Sequence, residues 1–86
     1  MINSYTLSRL QPEKGNQVYR TLKTYPEVKE LVSICGEYDL IIKLSSTSLE
    51  DLDNFIFNKL RTIDGVQATT TLIEAKPQQG EEQREV

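Results

Sequence analysis

The four residues from Gly36 to Asp39 are the segment of this sequence best equipped to hold a small polar molecule. Gly36-Glu37-Tyr38-Asp39 separates two runs rich in apolar, β-branched residues, and this pattern predicts a tight turn between two strands. Glycine permits a positive φ and the close approach of a ligand to the main chain. Exposed turn N–H groups can donate to a carboxylate, and Asp39 can accept from an ammonium group. An ordinary hairpin turn, with Asp39 bonded to its own backbone, explains the same residues, and the tetrapeptide alone leaves both interpretations open.

Three consecutive threonines, Thr69, Thr70 and Thr71, form a second group of side chains able to bind a polar ligand. Threonine is common in strands, so the run predicts a strand before it predicts a site. Because side chains alternate along a strand, Thr69 and Thr71 share one face and Thr70 lies on the other. One pocket cannot receive all three from one direction, and we therefore rank them behind the turn as candidate ligand-binding residues.

The composition argues against several functional classes. The 86 residues carry 10 basic and 13 acidic side chains, a net charge of −3, whereas a DNA-binding surface needs clustered Lys and Arg. With no histidine, a single cysteine and no phosphate-binding loop, we expect no metal site and no cofactor. No apolar run approaches the roughly 18 residues of a membrane span. Because Cys35 has no partner for an internal disulfide, we predict a cytoplasmic protein. The acidic charge and the lack of a spanning run predict that it binds neither DNA directly nor a membrane.

The elements that must position the candidate residues follow the order β-α-β-β-α-β. Alternating patterns predict strands over residues 2–10, 28–35, 39–45 and 66–76. The first helix is predicted to open at Gln11-Pro12-Glu13, and the second after Thr47 or Ser48 as N-cap. This order predicts an α+β, ferredoxin-like sandwich: a four-stranded antiparallel sheet with two helices on one face. The predicted core stripe of the second helix is Leu49, Leu52, Ile56, Leu60 and Ile63.

The sheet face without helices is predicted to be unusually apolar. Alternation assigns Val32 to the helix-covered face and Leu31 and Ile41 to the open face, with Leu72 or Ile73 added by the last strand. Such a patch is larger than a monomer usually exposes, so we expect a homodimer through the open faces and a closed assembly of dimers. We expect no aromatic residue on the central strands of this face, where an RNA-binding domain of this fold carries its stacking platform.

Most of the chain resembles the effector-binding (RAM) domain of the leucine-responsive Lrp/AsnC transcription regulators. The resemblance rests on the stretches VKELVSICGEYDLIIKL and LEDLDNFIFNKLRTIDGVQATTTLIEAK, and covers residues 2–76. It predicts one RAM-type domain over residues 1–76, and the apolar-poor remainder, residues 77–86, is predicted to be a disordered acidic tail. The most specific motifs are Pro26-x-Val28, Gly36-x-x-Asp39, Ile63-x-Gly65-Val66 and Thr69-Thr70-Thr71.

The resemblance implies an amino-acid-sensing module in transcription regulation, without catalytic activity. It implies a dimeric α/β barrel in which a free amino acid binds between dimers, held by Gly36, Glu37, Tyr38 and Asp39 of one subunit and by the threonines of a neighbour's fourth strand. Full-length family members carry an N-terminal helix-turn-helix, whereas the first predicted strand here begins directly after Met1. We therefore expect a stand-alone effector domain, with an excised piece of a longer regulator as the other possibility, and a full-length Lrp/AsnC-type regulator as a candidate partner.

Two other functions fit the same fold. Small dimeric ferredoxin-like enzymes of the oxygenase or isomerase type use a pocket between sheet and helices, but they usually need a histidine, a Tyr–Asp pair or a cofactor. A pure oligomerisation partner of full-length regulators would bind no metabolite at all. A response to free amino acids would separate the sensing module from both.

Overall fold

The fold follows the predicted order of strands and helices. The computed structural model describes residues 1–75, so Lys76 and the predicted tail over residues 77–86 lie outside the described residues. Short 3₁₀ turns precede the first helix and follow the second. The elements are β1 Ile2–Leu10, α1 Gly15–Leu22, β2 Val28–Ser33, β3 Leu40–Ser46, α2 Leu49–Asn58 and β4 Val66–Ile73, with the 3₁₀ turns at Pro12–Lys14 and Leu60–Thr62.

The sheet is antiparallel throughout, with the strand order β2-β3-β1-β4. Alternate side chains of β3 are buried together with the inner faces of α1 and α2, so the core lies between one sheet face and the helices. This confirms the predicted ferredoxin-like α+β sandwich. The buried apolar side chains are Val18, Leu22, Leu40, Ile42, Leu44, Leu52, Phe55, Ile56 and Leu60.

Helix α2 begins where its capping residue predicts and buries a slightly different stripe. The Ser48 hydroxyl accepts a hydrogen bond from the Asp51 backbone N–H at 3.1 Å, which makes Ser48 the N-cap. The prediction that Leu49 belongs to the core is wrong, because this first helical residue is 54% exposed. Phe55 is 2% exposed and takes a central place in the core instead.

A β-bulge changes which residues of β2 face the helices. The register against β3 shifts between Val28 and Glu30, and beyond it Leu31 pairs with Ile42 and Val32 with Ile41. Leu31 therefore packs against the core, while Val32 is 41% exposed on the open face. The predicted faces of these two residues are wrong, because one extra residue in a strand turns every later side chain to the opposite face.

Strand β1 buries its polar side chains and leaves its larger ones on the open face. Ser4, Thr6 and Ser8 are each 0% exposed beneath the helices. Tyr5 and Leu7 lie on the opposite face, where Leu7 pairs with Ile41 of β3. The expectation that the central strands carry no aromatic residue on the open face is therefore wrong at Tyr5.

Strand β4 divides its last two residues between the faces. Leu72 pairs with Tyr5 and lies on the open face, whereas Ile73 pairs with Ser4 on the helix side. Of the two alternatives left by the sequence, Leu72 is the one that extends the open apolar face.

Candidate functional site

The turn from Gly36 to Asp39 joins β2 to β3 and has the backbone geometry that its glycine predicts. Gly36 has a φ of 145°, in the region that side-chain-bearing residues avoid. A Cβ at this position would meet no heavy atom within 4 Å, so there is open space beside the main chain. A ligand can approach the backbone of the turn at Gly36 without displacing any part of the protein.

Asp39 ties the turn to the end of β1. Its Oδ2 accepts a hydrogen bond from the Leu10 backbone N–H at 2.8 Å, and its own N–H donates to the Ser8 carbonyl at 2.9 Å. One carboxylate oxygen therefore has a structural role. Among residues 1–75, Oδ1 has no hydrogen-bond partner, and this exposed oxygen is free to accept from a ligand.

Tyr38 connects the turn to β4 across the open face of the sheet. Its hydroxyl lies 2.9 Å from the Thr70 hydroxyl, and either oxygen can donate. The Arg9 guanidinium carbon lies 5.8 Å from the centre of the Tyr38 ring. Two of the predicted site residues, Tyr38 and Thr70, thus meet within one chain.

Thr69 and Thr71 lie on the other side of the sheet. Thr71 pairs with Thr6, and their hydroxyls are 2.8 Å apart. With Phe57 and Ile73, both threonines line a groove of about 270 Å³ between α2 and β4. The structure separates them from Tyr38 and Thr70 within the chain, so they can reach a ligand at the turn only from a neighbouring subunit.

A cavity of about 740 Å³ opens beside the turn, and we call it the turn cavity. Within the described part of the chain, Arg9 is the one basic side chain on its wall, where it lies with the carboxylates of Glu37 and Asp39. One positive and two negative side chains suit a ligand that carries both an ammonium and a carboxylate. The lining residues are Arg9, Leu10, Gln11, Pro12, Gly15, Gly36, Glu37, Asp39 and Gln67.

Sequence reasoning missed Arg9, Gln11 and Gln67. Alternation along β1 could have placed Arg9 on the same face as Tyr5 and Leu7. Gln67 had no such signal, because the pairing of β1 with β4 passes from Arg9–Ala68 to Leu10–Val66 and skips Gln67. Bulges of this kind redirect one side chain, and here the side chain lines the turn cavity.

Metal and membrane chemistry receive no support from the described residues. Within residues 1–75, no group of three His, Cys, Asp or Glu side chains is placed to hold a metal ion. Cys35 is free and exposed. None of the helices in this part of the chain is long and apolar enough to cross a membrane.

Comparison with known proteins identifies the family. A family model for the Lrp/AsnC ligand binding domain matches residues 4–77. This chain belongs to the Lrp/AsnC ligand-binding domain family. The HTH-type transcriptional regulator FL11 of Pyrococcus furiosus is 32% identical over 75 residues, which make up 87% of this chain and 49% of that protein. The chain spans about half the length of the curated relatives it matches.

Solved structures of other proteins share the fold of this chain. The crystal structure of FFRP-DM1 matches with a TM-score of 0.84 at 39% identity, over 87% of this chain and 100% of that one. A transcriptional regulator of Neisseria meningitidis, solved as a complex with L-Met, matches with a TM-score of 0.83 over 87% of this chain and 50% of that one. At 17% identity the second likeness shows the fold alone.

Two of the motifs that carried the Lrp/AsnC resemblance have structural roles. Gly65 has a φ of 108°, and a Cβ there would lie 2.7 Å from Lys14 Cβ and 3.0 Å from Val18 Cγ2. Only glycine lets the start of β4 approach α1 so closely. After Pro26, the Val28 N–H closes a turn onto the Tyr25 carbonyl at 3.1 Å. The candidate ligand chemistry of this Lrp/AsnC domain is therefore concentrated at Gly36-x-x-Asp39 and its surroundings.

Proposed function

We propose that this chain is an amino-acid-sensing module that binds a free amino acid at the turn cavity and has no catalytic activity. The observation that carries the proposal is the placement of Arg9 beside Glu37 and Asp39 around the open space at Gly36. The family supports it, since the matched model describes a ligand-binding domain and the matched relatives are named transcriptional regulators. The Neisseria meningitidis regulator with the same fold was solved with L-Met.

The roles of the site residues follow from their chemistry. The Arg9 guanidinium and the backbone N–H groups at Gly36 donate to the ligand carboxylate, and Glu37 and Asp39 Oδ1 accept from its ammonium. Tyr38 does not line the turn cavity itself; its hydrogen bond to Thr70 ties the turn to β4, and Tyr38 faces a ligand only where a neighbouring subunit extends the site. Thr69 and Thr71 of a neighbouring subunit close the site from outside, so the complete pocket forms only between dimers.

Assembly is part of the same proposal. The open face carries Leu7, Val32, Ile41 and Leu72, and it is the apolar surface that a second copy would cover. Dimers joined in this way assemble into a closed oligomer, and a full-length Lrp/AsnC-type regulator could join the same assembly. Direct binding of duplex DNA by this chain is not expected, because a net charge of −3 offers little to neutralise phosphates.

Calorimetry with a panel of free amino acids tests the site, and Arg9→Gln is the decisive variant. We expect Arg9→Gln to bind the tightest-binding amino acid about 1.5–3 kcal/mol more weakly than the parent protein does, the usual size of a hydrogen bond to a charged group. Arg20→Gln is the matched control, because Arg20 is exposed on α1 and does not line the turn cavity. Unchanged binding in Arg9→Gln, or equal losses in both variants, would contradict the proposal.

Asp39 is tested by a more conservative substitution than alanine, because one of its carboxylate oxygens also holds the turn to β1. Asp39→Asn keeps an oxygen that can accept from the Leu10 N–H and removes the negative charge offered to an ammonium. We expect weaker amino-acid binding with the fold intact, checked by circular dichroism. If no amino acid binds the parent protein although it forms stable oligomers, the chain is an oligomerisation partner without a ligand.

A further inference from the structure

A second cavity adjoins the turn cavity on the helix-covered side of the sheet, and we call it the α1 cavity. It has a volume of about 290 Å³ and lies between α1 and the ends of β2 and β3 that meet at the turn. Leu10, Gly15 and Asp39 line both cavities, so the two are neighbours along this shared wall. The other residues that line the α1 cavity are Asn16, Tyr19, Ser33 and Leu40.

Gly15 leaves the junction between the two cavities open. It is the first residue of α1, and a Cβ built on it would meet no heavy atom within 4 Å. Asp39 lies on the same shared wall, and in the proposed amino-acid site its Oδ1 accepts from the ligand's ammonium group. The carbon that carries this ammonium also carries the ligand's side chain. A ligand held at Asp39 can therefore extend its side chain into the α1 cavity.

The wall of the α1 cavity combines apolar surface with two neutral polar groups. Asn16 and Tyr19 are three residues apart on α1, and residues at this spacing lie on the same side of a helix. Ser33 pairs with the buried Leu40, so its hydroxyl lies on the helix-covered face of the sheet. Asn16 and Ser33 are exposed and Tyr19 is half-buried, so all three have surface that a ligand can reach.

The charges around the α1 cavity favour an uncharged ligand side chain. Within the described part of the chain, Asp39 is the one charged residue of the lining, and it already accepts from the Leu10 N–H and, in the proposed site, from the ligand's ammonium. An ionised ligand side chain entering the cavity would lose water without gaining an opposite charge. A neutral amide finds both kinds of partner, because the Asn16 amide and the Ser33 hydroxyl can each donate and accept.

We propose that the α1 cavity is the side-chain part of the amino-acid site and that it selects an amino acid with a neutral amide side chain. This inference rests on the proposed amino-acid site at the turn cavity. The ligand's amide exchanges hydrogen bonds with Asn16 and Ser33, and its methylene groups lie against Leu10 and the Tyr19 ring.

Calorimetry of the full chain with four amino acids tests the inference. Glutamine is the amide probe, glutamate has nearly the same shape with a negative charge, and methionine has an unbranched apolar side chain. Alanine carries the same ammonium and carboxylate but is too short to reach into the α1 cavity. We expect glutamine to bind at least about tenfold more tightly than each of the other three, the effect of one or two neutral hydrogen bonds.

The outcomes separate this inference from the proposed function. If alanine binds as tightly as glutamine, the amino-acid site stands and the side-chain part is overturned. If methionine or glutamate equals glutamine, the selection of an amide is overturned. If no amino acid of the full panel binds, the amino-acid site itself fails, and the side-chain part fails with it.

Asn16→Leu tests the wall that makes the selection. It replaces an amide by an apolar side chain of similar size, and we expect the preference for glutamine over methionine to fall by about tenfold. Gln17→Leu is the matched control, because Gln17 is exposed beside Asn16 on α1 and lines neither cavity. An unchanged preference in Asn16→Leu, or an equal fall in both variants, would overturn the proposal. Should Asn16→Leu fail to fold by circular dichroism, Ser33→Ala gives the same test with an expected fall of about fivefold.

Discussion

The two faces of strand β1 differ in chemistry and in burial, and the more polar face is the buried one. Ser4, Thr6 and Ser8 are 0% exposed beneath the helices, while Tyr5 and Leu7 are only half-buried on the open face. In an antiparallel sheet with one solvated face the large apolar residues normally point inward. The inversion in β1 indicates that the helix side is filled without large side chains from this strand, and it leaves Tyr5 and Leu7 on the open face that we propose a second copy covers.

The pairing of β1 with β3 explains how small polar residues fit into the core. Ser4, Thr6 and Ser8 pair with Leu44, Ile42 and Leu40, so each small side chain lies beside a large one. Alternation of large and small side chains lets helices pack closely against a sheet without leaving voids. Small residues in β1 are therefore a packing requirement of the helix-covered face.

The largest expected effect comes from placing a charge on the open face. Leu7→Glu puts a carboxylate at the centre of the surface through which we expect dimers to form, beside Ile41. Burying an unpaired charge costs several kcal/mol, and we expect about 3–5 kcal/mol less dimerisation free energy. Light scattering at micromolar concentration should then give the mass of a monomer.

Leu49→Glu is the matched control for this charge. Leu49 is 54% exposed at the start of α2, away from the open face, and should tolerate the same change. A dimeric Leu7→Glu together with a monomeric Leu49→Glu would show that the helices, and not the open sheet face, form the interface.

An intermediate effect is expected from adding volume to the buried face. Ser8→Leu introduces three additional carbon atoms in place of an oxygen, next to Leu40 and under the helices. Overpacking a filled core costs typically 1–3 kcal/mol, and we expect a loss of that size from the free energy of unfolding. Urea denaturation measures it, with Ser8→Ala as the variant that removes the hydroxyl without adding volume. A Ser8→Leu protein as stable as the parent would mean that the helices leave room above β1.

Much of the fold could be predicted from sequence because its signals are local and repeated. The alternation of β3 and the capping of α2 by Ser48 each predict an element independently. The face of each β2 residue could not be predicted, because the bulge at Val28–Glu30 depends on pairing with β3. Leu49 was misassigned because a helical period does not reveal where the sheet beneath the helix ends.

The candidate site could be predicted in part. Gly36 and Asp39 were visible as candidates because a glycine and a carboxylate in a tight turn can both serve a polar ligand, although an ordinary hairpin turn explains the same residues. The hydroxyl of Thr70 was a candidate by its type. The contact between Tyr38 and Thr70 depends on how β3, β1 and β4 lie side by side in the sheet. The position of Gln67 on the wall of the turn cavity depends on a second bulge, between β1 and β4. Contacts between residues 32 positions apart follow from the strand order of the sheet, which no local pattern encodes.

The smallest expected effects on stability come from removing single hydroxyl groups on the buried face of β1. We expect their sign to depend on whether the hydroxyl has a hydrogen-bond partner. Ser4 Oγ has no hydrogen-bond partner within residues 1–75, whereas Thr6 Oγ1 lies 2.8 Å from Thr71 Oγ1. Ser4→Ala removes a buried hydroxyl that has lost its water and gained no partner, so we expect the free energy of unfolding to rise by up to about 1 kcal/mol. Thr6→Val keeps the shape of the side chain but removes the hydrogen bond to Thr71. We expect it to lower the free energy of unfolding by about 0.5–1.5 kcal/mol. Thermal melts resolve such a difference, because about 1 kcal/mol shifts the Tm of a domain of this size by roughly 4–8 °C. If both variants lose the same stability, Ser4 has a partner, such as a buried water, and the two hydroxyls contribute alike to holding β1 under the helices.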